Sequence, residues 1–474
     1  MDRGNTTLLK NPARYLAVVG LSILFLQSLA ALWYYDLRMY FVDAPFMVFR
    51  IIQLDSLSLQ VGRFGAFITQ FFPYIMQKTG FSLENILRGY SVAFSLFPLV
   101  VAWILFRMQQ YPWVSLLALY FTMFCTDAWF WPNNEIHQGV VWMTLGMGIW
   151  FMQRERLNDT LKTASALVLI FVAVFCHPLM IPLMIFVQGF FILRKDLNVQ
   201  EKRDRIFLIG TVFIIVMKWY ASKHNWYDST KLTTLSDTSL ERYLHFYQSE
   251  SFRGFAEMLF KDHLQIWVIV LVWIVFVINS KKYRLFIWSC LGISIHIVMT
   301  SVLMDRFYLF YAQSQWMILS YFVAMPLMFA REKFINSKVI PYLAFFYMLI
   351  WVHNIGKAQD KFEERLYFLD KILNAMEEKN LNAVALVGVP PEYLQKVIMD
   401  WGLPVESLLR SSAAGKPKSF YFSSDEENLP TLGVFRSCFD SIPADSLNTF
   451  YFRGYRPEYV RTGFGQFIPF SDSQ

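Results

Sequence analysis

Carboxylates, histidines and an arginine recur where the apolar runs of this chain end on one side. Asp36 and Asp43 follow the first run, in YYDLRMYFVDAPF, and Asp127, Asn133, Asn134, Glu135 and His137 lie between the third and fourth. His177 stands inside a later run, and Asp305-Arg306 separates the ninth from the tenth. Polar side chains at membrane depth or at helix mouths are expensive, which makes them candidates for function. Together they suit a reaction on an anionic, lipid-linked substrate. A carboxylate such as Asp43, Asp36 or Glu135 can deprotonate an acceptor hydroxyl. Arg306 and His177 can neutralise a phosphate leaving group. His137, Asp127 and Asn134 fall where an acceptor or a metal ion would lie, although the Glu-Ile-His spacing at 135–137 is not diagnostic of a metal.

Each of these residues also has a structural reading. Asp36 and Arg38 have the spacing of an interfacial ion pair. Asp43 before Ala-Pro is a good helix start, and Glu135 with His137 fits a solvated turn capping the fourth run. His177 reads equally as a turn histidine, and Arg306 as a snorkelling side chain. His296 reads as a hydrogen-bonded packing residue inside a span. Trp33, Tyr34, Trp129, Trp131 and Trp351 read as an interfacial aromatic belt.

The elements that position them are apolar. Of 474 residues 55% are hydrophobic and only 17% charged, with a mean hydropathy of +0.36, which excludes an ordinary soluble domain. Runs near the length that crosses a bilayer recur at 14–34, 87–107, 112–126, 137–153, 162–176, 178–193, 206–221, 264–280, 284–303, 307–330 and 338–355. Connecting segments alternate in charge. Arg154, Arg156, Arg194, Lys195, Lys281, Lys282, Arg331 and Lys333 fall on one side, while 127–136 carries no Lys or Arg. The positive-inside rule then predicts a cytoplasmic N-terminus, eleven crossings and an external C-terminus. The net charge of +7 follows from those basic loops and requires no nucleic acid. Four cysteines, three of them in or beside apolar runs, define no disulfide framework. The first run has no small-residue cleavage site and reads as a span rather than a signal peptide.

The run from Thr163 to Leu193 is too long for one span and contains His177-Pro178, which predicts two short helices with an outer corner. The loop 35–86 mixes apolar and polar positions and suits interfacial helices, with Arg50 and Arg63 reaching lipid headgroups. A second outer loop, 222–263, is rich in Tyr, His and Ser and is placed to cover a cavity mouth. From 356 to 474 the composition shifts: KFEERLYFLDKILNAMEE reads as helix, AVALVGV as a buried strand, SFYF and TFYF as short strands. The expectation is an all-α polytopic membrane domain over 1–355, followed by a small external α/β domain.

VDAPF, WPNNEIHQG, CHP and MDRFY, in that order on one topology, resemble the GT-C superfamily of polyprenyl-phosphate-sugar-dependent glycosyltransferases, such as the protein mannosyltransferases and the aminoarabinose transferases. The resemblance covers about residues 14–355. It implies a catalytic carboxylate in the first outer loop, interfacial helices after it, and an inverting transfer of a sugar to a lipid, glycan or protein acceptor. CHP occupies the place of a Lys-Gly-Pro turn in many of these enzymes, and MDRFY that of an Arg-Tyr pair near the lipid phosphate. Some members use a divalent cation. The first loop departs from the pattern, with no adjacent acidic pair, so Asp36 and Asp43 compete as base. Asp43, deeper in the loop, is favoured. The composition fits a bacterial inner membrane. Two other readings are a polymerase or ligase of lipid-linked glycans, and a transporter or flippase of lipid-linked sugars. The second should show two similar halves, and no internal repeat is seen.

Overall fold

The structure, a computed structural model, describes residues 12–59, 61–153, 158–304, 307–329, 340–424, 427–438 and 440–468. It is mostly helical, with a small region of sheet. Among the described residues, five helices are long and apolar enough to cross a membrane: Pro12–Trp33, Leu83–Arg107, Asp159–Cys176, Lys202–Lys223 and Tyr283–Leu303. A sixth is reached if the bent pair Glu250–Lys261 and Ile266–Val275 counts as one span. Large apolar side chains face outward on these helices, among them Phe25, Leu29, Ile209, Phe213 and Ile287. Such surfaces require an apolar solvent, and the protein is membrane-embedded.

Three of the other expected spans are present as shorter helices, while 338–355 falls on the long helix Ile340–Glu378. Tyr111–Tyr120 has 10 residues, Glu135–Trp150 has 16 and Met180–Leu193 has 14. At about 1.5 Å per residue these fall short of a hydrocarbon core of about 30 Å. Much of their surface is covered by other helices. Trp113, Leu116, Met143, Met147, Met184 and Phe190 are fully buried among them. The run 307–330 divides into Leu309–Trp316 and Leu319–Met328.

The expected corner is present. Helix Asp159–Cys176 stops at His177, whose backbone is extended (φ −161°, ψ 144°), as proline forces on the residue before it. Helix Met180–Leu193 begins after the turn. Gly139 lies under this corner, where a Cβ would stand 2.9 Å from Met180 Sδ and 3.0 Å from the Ala173 carbonyl.

A single helix, Ile340–Glu378, carries the chain out of the bundle without a break at Gly356. It leads to a three-stranded parallel sheet in the order β2-β1-β5, with β1 Ala383–Val387 central, β2 Ser419–Phe422 and β5 Tyr459–Gly463. The buried AVAL of β1 suits a central strand covered on both faces. A two-stranded antiparallel ribbon, β3 Val434–Arg436 with β4 Ser441–Pro443, lies apart from it. TFYF, expected as a strand, instead lies in a turn after Leu447.

The first loop differs from its expectation. Helix Asp43–Leu54 does not lie in lipid: Ala44 to Phe49, Ile51 and Ile52 are buried. The C-terminal region covers it through Phe46 on Trp401 and Phe49 on Phe435 and Phe452. Its apolar stripe reads as an interfacial face in the sequence, but a protein surface satisfies the same stripe.

Candidate active site

Asp43 opens helix Asp43–Leu54, but its carboxylate does not cap that helix; the residue at the cap is Val42, and no side chain bonds there. Asp43 Oδ2 accepts from Trp131 Nε1 at 2.9 Å. Trp131 is therefore no belt residue. It is buried and packs on Phe310 and Tyr311. Asp43 is enclosed by protein yet keeps partial contact with solvent. Burial raises its proton affinity, the nearby Glu135 charge raises it further, and the indole N–H and Arg63 pull it back, leaving a pKa of about 7.

Glu135 also begins a helix, whose cap is Asn134: its Oδ1 accepts from Ile136 N–H at 2.8 Å. That frees the Glu135 carboxylate, which meets Arg63 Nη1 at 3.3 Å. Arg63 Nη2 reaches Asp228 Oδ1 at 2.9 Å, and Asp228 Oδ2 takes Lys218 Nζ at 3.2 Å. The expectation that Arg63 reaches lipid headgroups is thus overturned. Its side chain is 9% exposed and its guanidinium lies over Tyr227, 5.1 Å from the ring centroid. Burial works against its charge, but Glu135 and Asp228 outweigh it and the proton is held more tightly than usual.

Four segments build this cluster. The first loop supplies Asp43 and Arg63, the second Trp131 and Glu135, and helix Lys202–Lys223 supplies Lys218. The segment 222–263 supplies Asp228 and Tyr227, anchored where Asn225 Nδ2 donates to the Val61 carbonyl at 2.5 Å. Arg63 sits in a turn pressed on helix Asp159–Cys176. A Cβ on Gly65 would stand 2.4 Å from both Cys176 Sγ and the Val172 carbonyl. Arg63 and Lys218 balance Asp228 and Glu135, which leaves Asp43 as the carboxylate of the cluster without a cation in direct contact.

Compared with known proteins, the chain matches no family model, no curated protein and no solved structure. The site therefore stands on its own residues.

The remaining candidates divide. Asp36 accepts from its own Leu37 N–H at 2.9 Å and lies toward Tyr40 and Arg410, away from this cluster. The Asp36–Arg38 ion pair is not formed. Arg38 is buried, donating to the Trp129 carbonyl at 3.1 Å and to Ser91 at 3.0 Å, with its guanidinium on the Trp129 ring. Trp129, like Trp131, is buried core rather than belt, and so is Trp351, whereas Trp33 is 79% exposed. Asp127 is buried and paired with Lys361 of the long helix. Burial raises its proton affinity, and Lys361 opposes that. Asn133 accepts from Tyr90 at 2.8 Å, and His137 Nδ1 meets Tyr120 Oη at 2.8 Å inside the bundle.

His177 Nδ1 accepts from Leu179 N–H at 3.1 Å, closing the corner as a turn histidine does. Burial, with Arg63 and Lys218 nearby, drives its proton affinity well below the usual range. Arg306 lies outside the described residues. His296 Nε2 bonds the Gln315 carbonyl at 2.9 Å, a packing role as expected.

Glu135, His137 and Asp127 take Arg63, Tyr120 and Lys361 as partners, and no group of three or more candidate ligands converges among the described residues.

Arg63, Lys218, Asp228 and Trp131 were not singled out as site residues by the sequence. The one signal available was Lys218 within an apolar run, an ionisable residue where none is cheap.

Proposed function

We propose that this protein transfers a sugar from a polyprenyl-phosphate-linked donor to an acceptor hydroxyl at the outer membrane face, with Asp43 as general base. The reading is supported most by Asp43 itself: a half-buried residue whose carboxylate is held by one indole N–H and has a pKa raised by burial to about 7. A general base is most effective with a pKa near the working pH. Asp43 removes the acceptor's proton as the acceptor oxygen bonds the anomeric carbon. The bond from that carbon to the phosphate oxygen breaks, and the polyprenyl phosphate leaves with the electron pair. Attack opposite the leaving group inverts the centre.

Arg63 takes the role of the cation beside the leaving phosphate, with Arg306 as a second. Of the two carboxylates on Arg63, Glu135 is the more distant and the more exposed, at 3.3 Å and 20%, so an incoming phosphate competes there. Its arrival frees Glu135 to bind the acceptor. In this reading the chain makes eleven crossings with the N-terminus cytoplasmic, as the basic loops suggest, and resides in a bacterial inner membrane.

The test is transfer of labelled sugar from polyprenyl-phosphate donors by the full chain in proteoliposomes. Asp43→Asn should lose turnover by about 10²- to 10⁴-fold while its fold is kept. Full turnover in that variant overturns Asp43 as base.

A further inference from the structure

The segment Tyr40–Val42, just before Asp43, is gripped by two side chains more than 300 residues away in sequence. Glu406 Oε1 accepts from Val42 N–H at 2.7 Å, and Glu406 Oε2 is paired with Arg365 Nη2. Arg365 Nη1 donates to the Tyr40 carbonyl at 2.7 Å and Nε to the Val397 carbonyl at 2.8 Å. The same guanidinium lies over Phe41, 4.9 Å from the ring centroid. Residues 40, 41 and 42 are thus each held once, and residue 43 is the carboxylate.

Val42 is held in a conformation it would not choose. Its φ is 52° and ψ −104°, a left-handed geometry for a β-branched residue. Such strain survives only where the surroundings over-determine it. Gly402 completes the grip, because a Cβ there would stand 3.2 Å from Val42 Cα and 2.6 Å from Glu406 Oε1.

Simple attachment does not call for this pair. Phe46 on Trp401, Phe49 on Phe435 and Phe452, and Gln53 donating to the Ser446 carbonyl at 2.6 Å already dock the C-terminal region on helix Asp43–Leu54. A buried ion pair is poor adhesive, since desolvation offsets most of its attraction. A buried acceptor and donor can, however, fix a backbone dihedral, which aromatic contacts cannot.

We propose that the C-terminal region belongs to the reacting site, with Arg365 and Glu406 as positioning residues that set the direction of the Asp43 carboxylate through the strained Val42 backbone. This rests on the reading of Asp43 as base. The charge of Glu406 also adds to the forces that raise the proton affinity of Asp43.

The test uses the full chain in lipid nanodiscs and two readouts that need no substrate. A hydrophobic carbodiimide adds to protonated carboxyl groups, so labelling of Asp43 against pH, read by mass spectrometry, follows its protonation. Hydrogen exchange of the 40–44 amides follows the grip. Removing one partner alone risks unfolding, so the key variant is the double substitution Arg365→Met/Glu406→Leu, which removes both buried charges and keeps an apolar fill. With an unchanged thermal midpoint, it should speed exchange at 40–44 and shift the Asp43 labelling midpoint. Turnover should fall by about 10²-fold, the cost of an ångström of misplacement. Glu406→Gln, which keeps an acceptor for Val42 N–H, should lower the labelling midpoint but leave exchange at 40–44 slow.

An unchanged labelling profile and unchanged exchange in the folded double variant overturn the proposal. A shift in both, together with full turnover in Asp43→Asn, keeps the grip and removes Asp43 as base.

Discussion

Asp43 and Glu406 are carboxylates on two sides of the same short stretch of backbone, and burial makes both hold a proton more tightly than an exposed acid. Their surroundings differ in what is left unspent. Glu406 is fully buried, with one oxygen on Val42 N–H and the other on Arg365. Asp43 accepts one hydrogen bond, from Trp131, faces a like charge in Glu135, and keeps partial contact with solvent. Burial alone therefore does not separate a carboxylate whose oxygens are both committed from one that is only partly bonded. The separating quantity is the number of donors already committed to it, and whether a new partner can reach the remaining lone pairs.

The comparison breaks first at Asp43→Asn, where the largest effect is expected. The amide keeps an acceptor for Trp131 and removes a costly buried charge, so the thermal midpoint should hold or rise while turnover collapses by the factor given above. A fall in both would make Asp43 a structural group like Glu406. Glu406→Ala should behave in the opposite sense. It leaves Arg365 buried without its counter-charge, which costs about 3–5 kcal/mol and should appear as a lower unfolding midpoint.

Proton linkage sharpens the contrast. Turnover should rise with pH as Asp43 loses its proton, with a midpoint near its pKa of about 7. Stability should run the other way. Folded Asp43 keeps a proton that the unfolded chain has already released between about pH 4 and pH 7. The folded state binds more protons in that window, so the Asp43 contribution to stability declines as pH rises through it. Asp43→Asn should flatten this slope in a pH series of thermal unfolding. A smaller effect is expected at Gly65→Ala. The added methyl meets Val172 and Cys176, so the turn holding Arg63 must shift, at a cost of about 1–3 kcal/mol in unfolding stability.

Much of the scaffold was legible in the sequence because its causes are local. Apolar runs gave the helices, and the proline after His177 gave the corner. The buried pattern AVAL gave β1. The span count was less legible, because composition does not say whether a helix of 10 to 16 residues meets lipid or other helices. Asp43 could be picked out by its place at the end of a run. Its partners could not. Arg63 pairs with residues 72 and 165 positions away, and no periodicity records such pairing. Arg50 and Arg63 look alike in sequence. Yet Arg50 donates to nearby Ser58 at 3.0 Å, while Arg63 is drawn into the cluster by Glu135 and Asp228.

The sequence by itself determined that this is a helical membrane protein with carboxylates gathered at the ends of its apolar runs. That much follows from the energetics of apolar side chains in water and lipid, which act residue by residue. Only the tertiary structure decided which carboxylates are spent. Asp127 went to Lys361, Glu135 to Arg63 and Glu406 to Arg365, and Asp43 was left with a single indole. Proton affinity depends on the distance to every charge and on the water that burial excludes, and both exist only once distant segments have packed together.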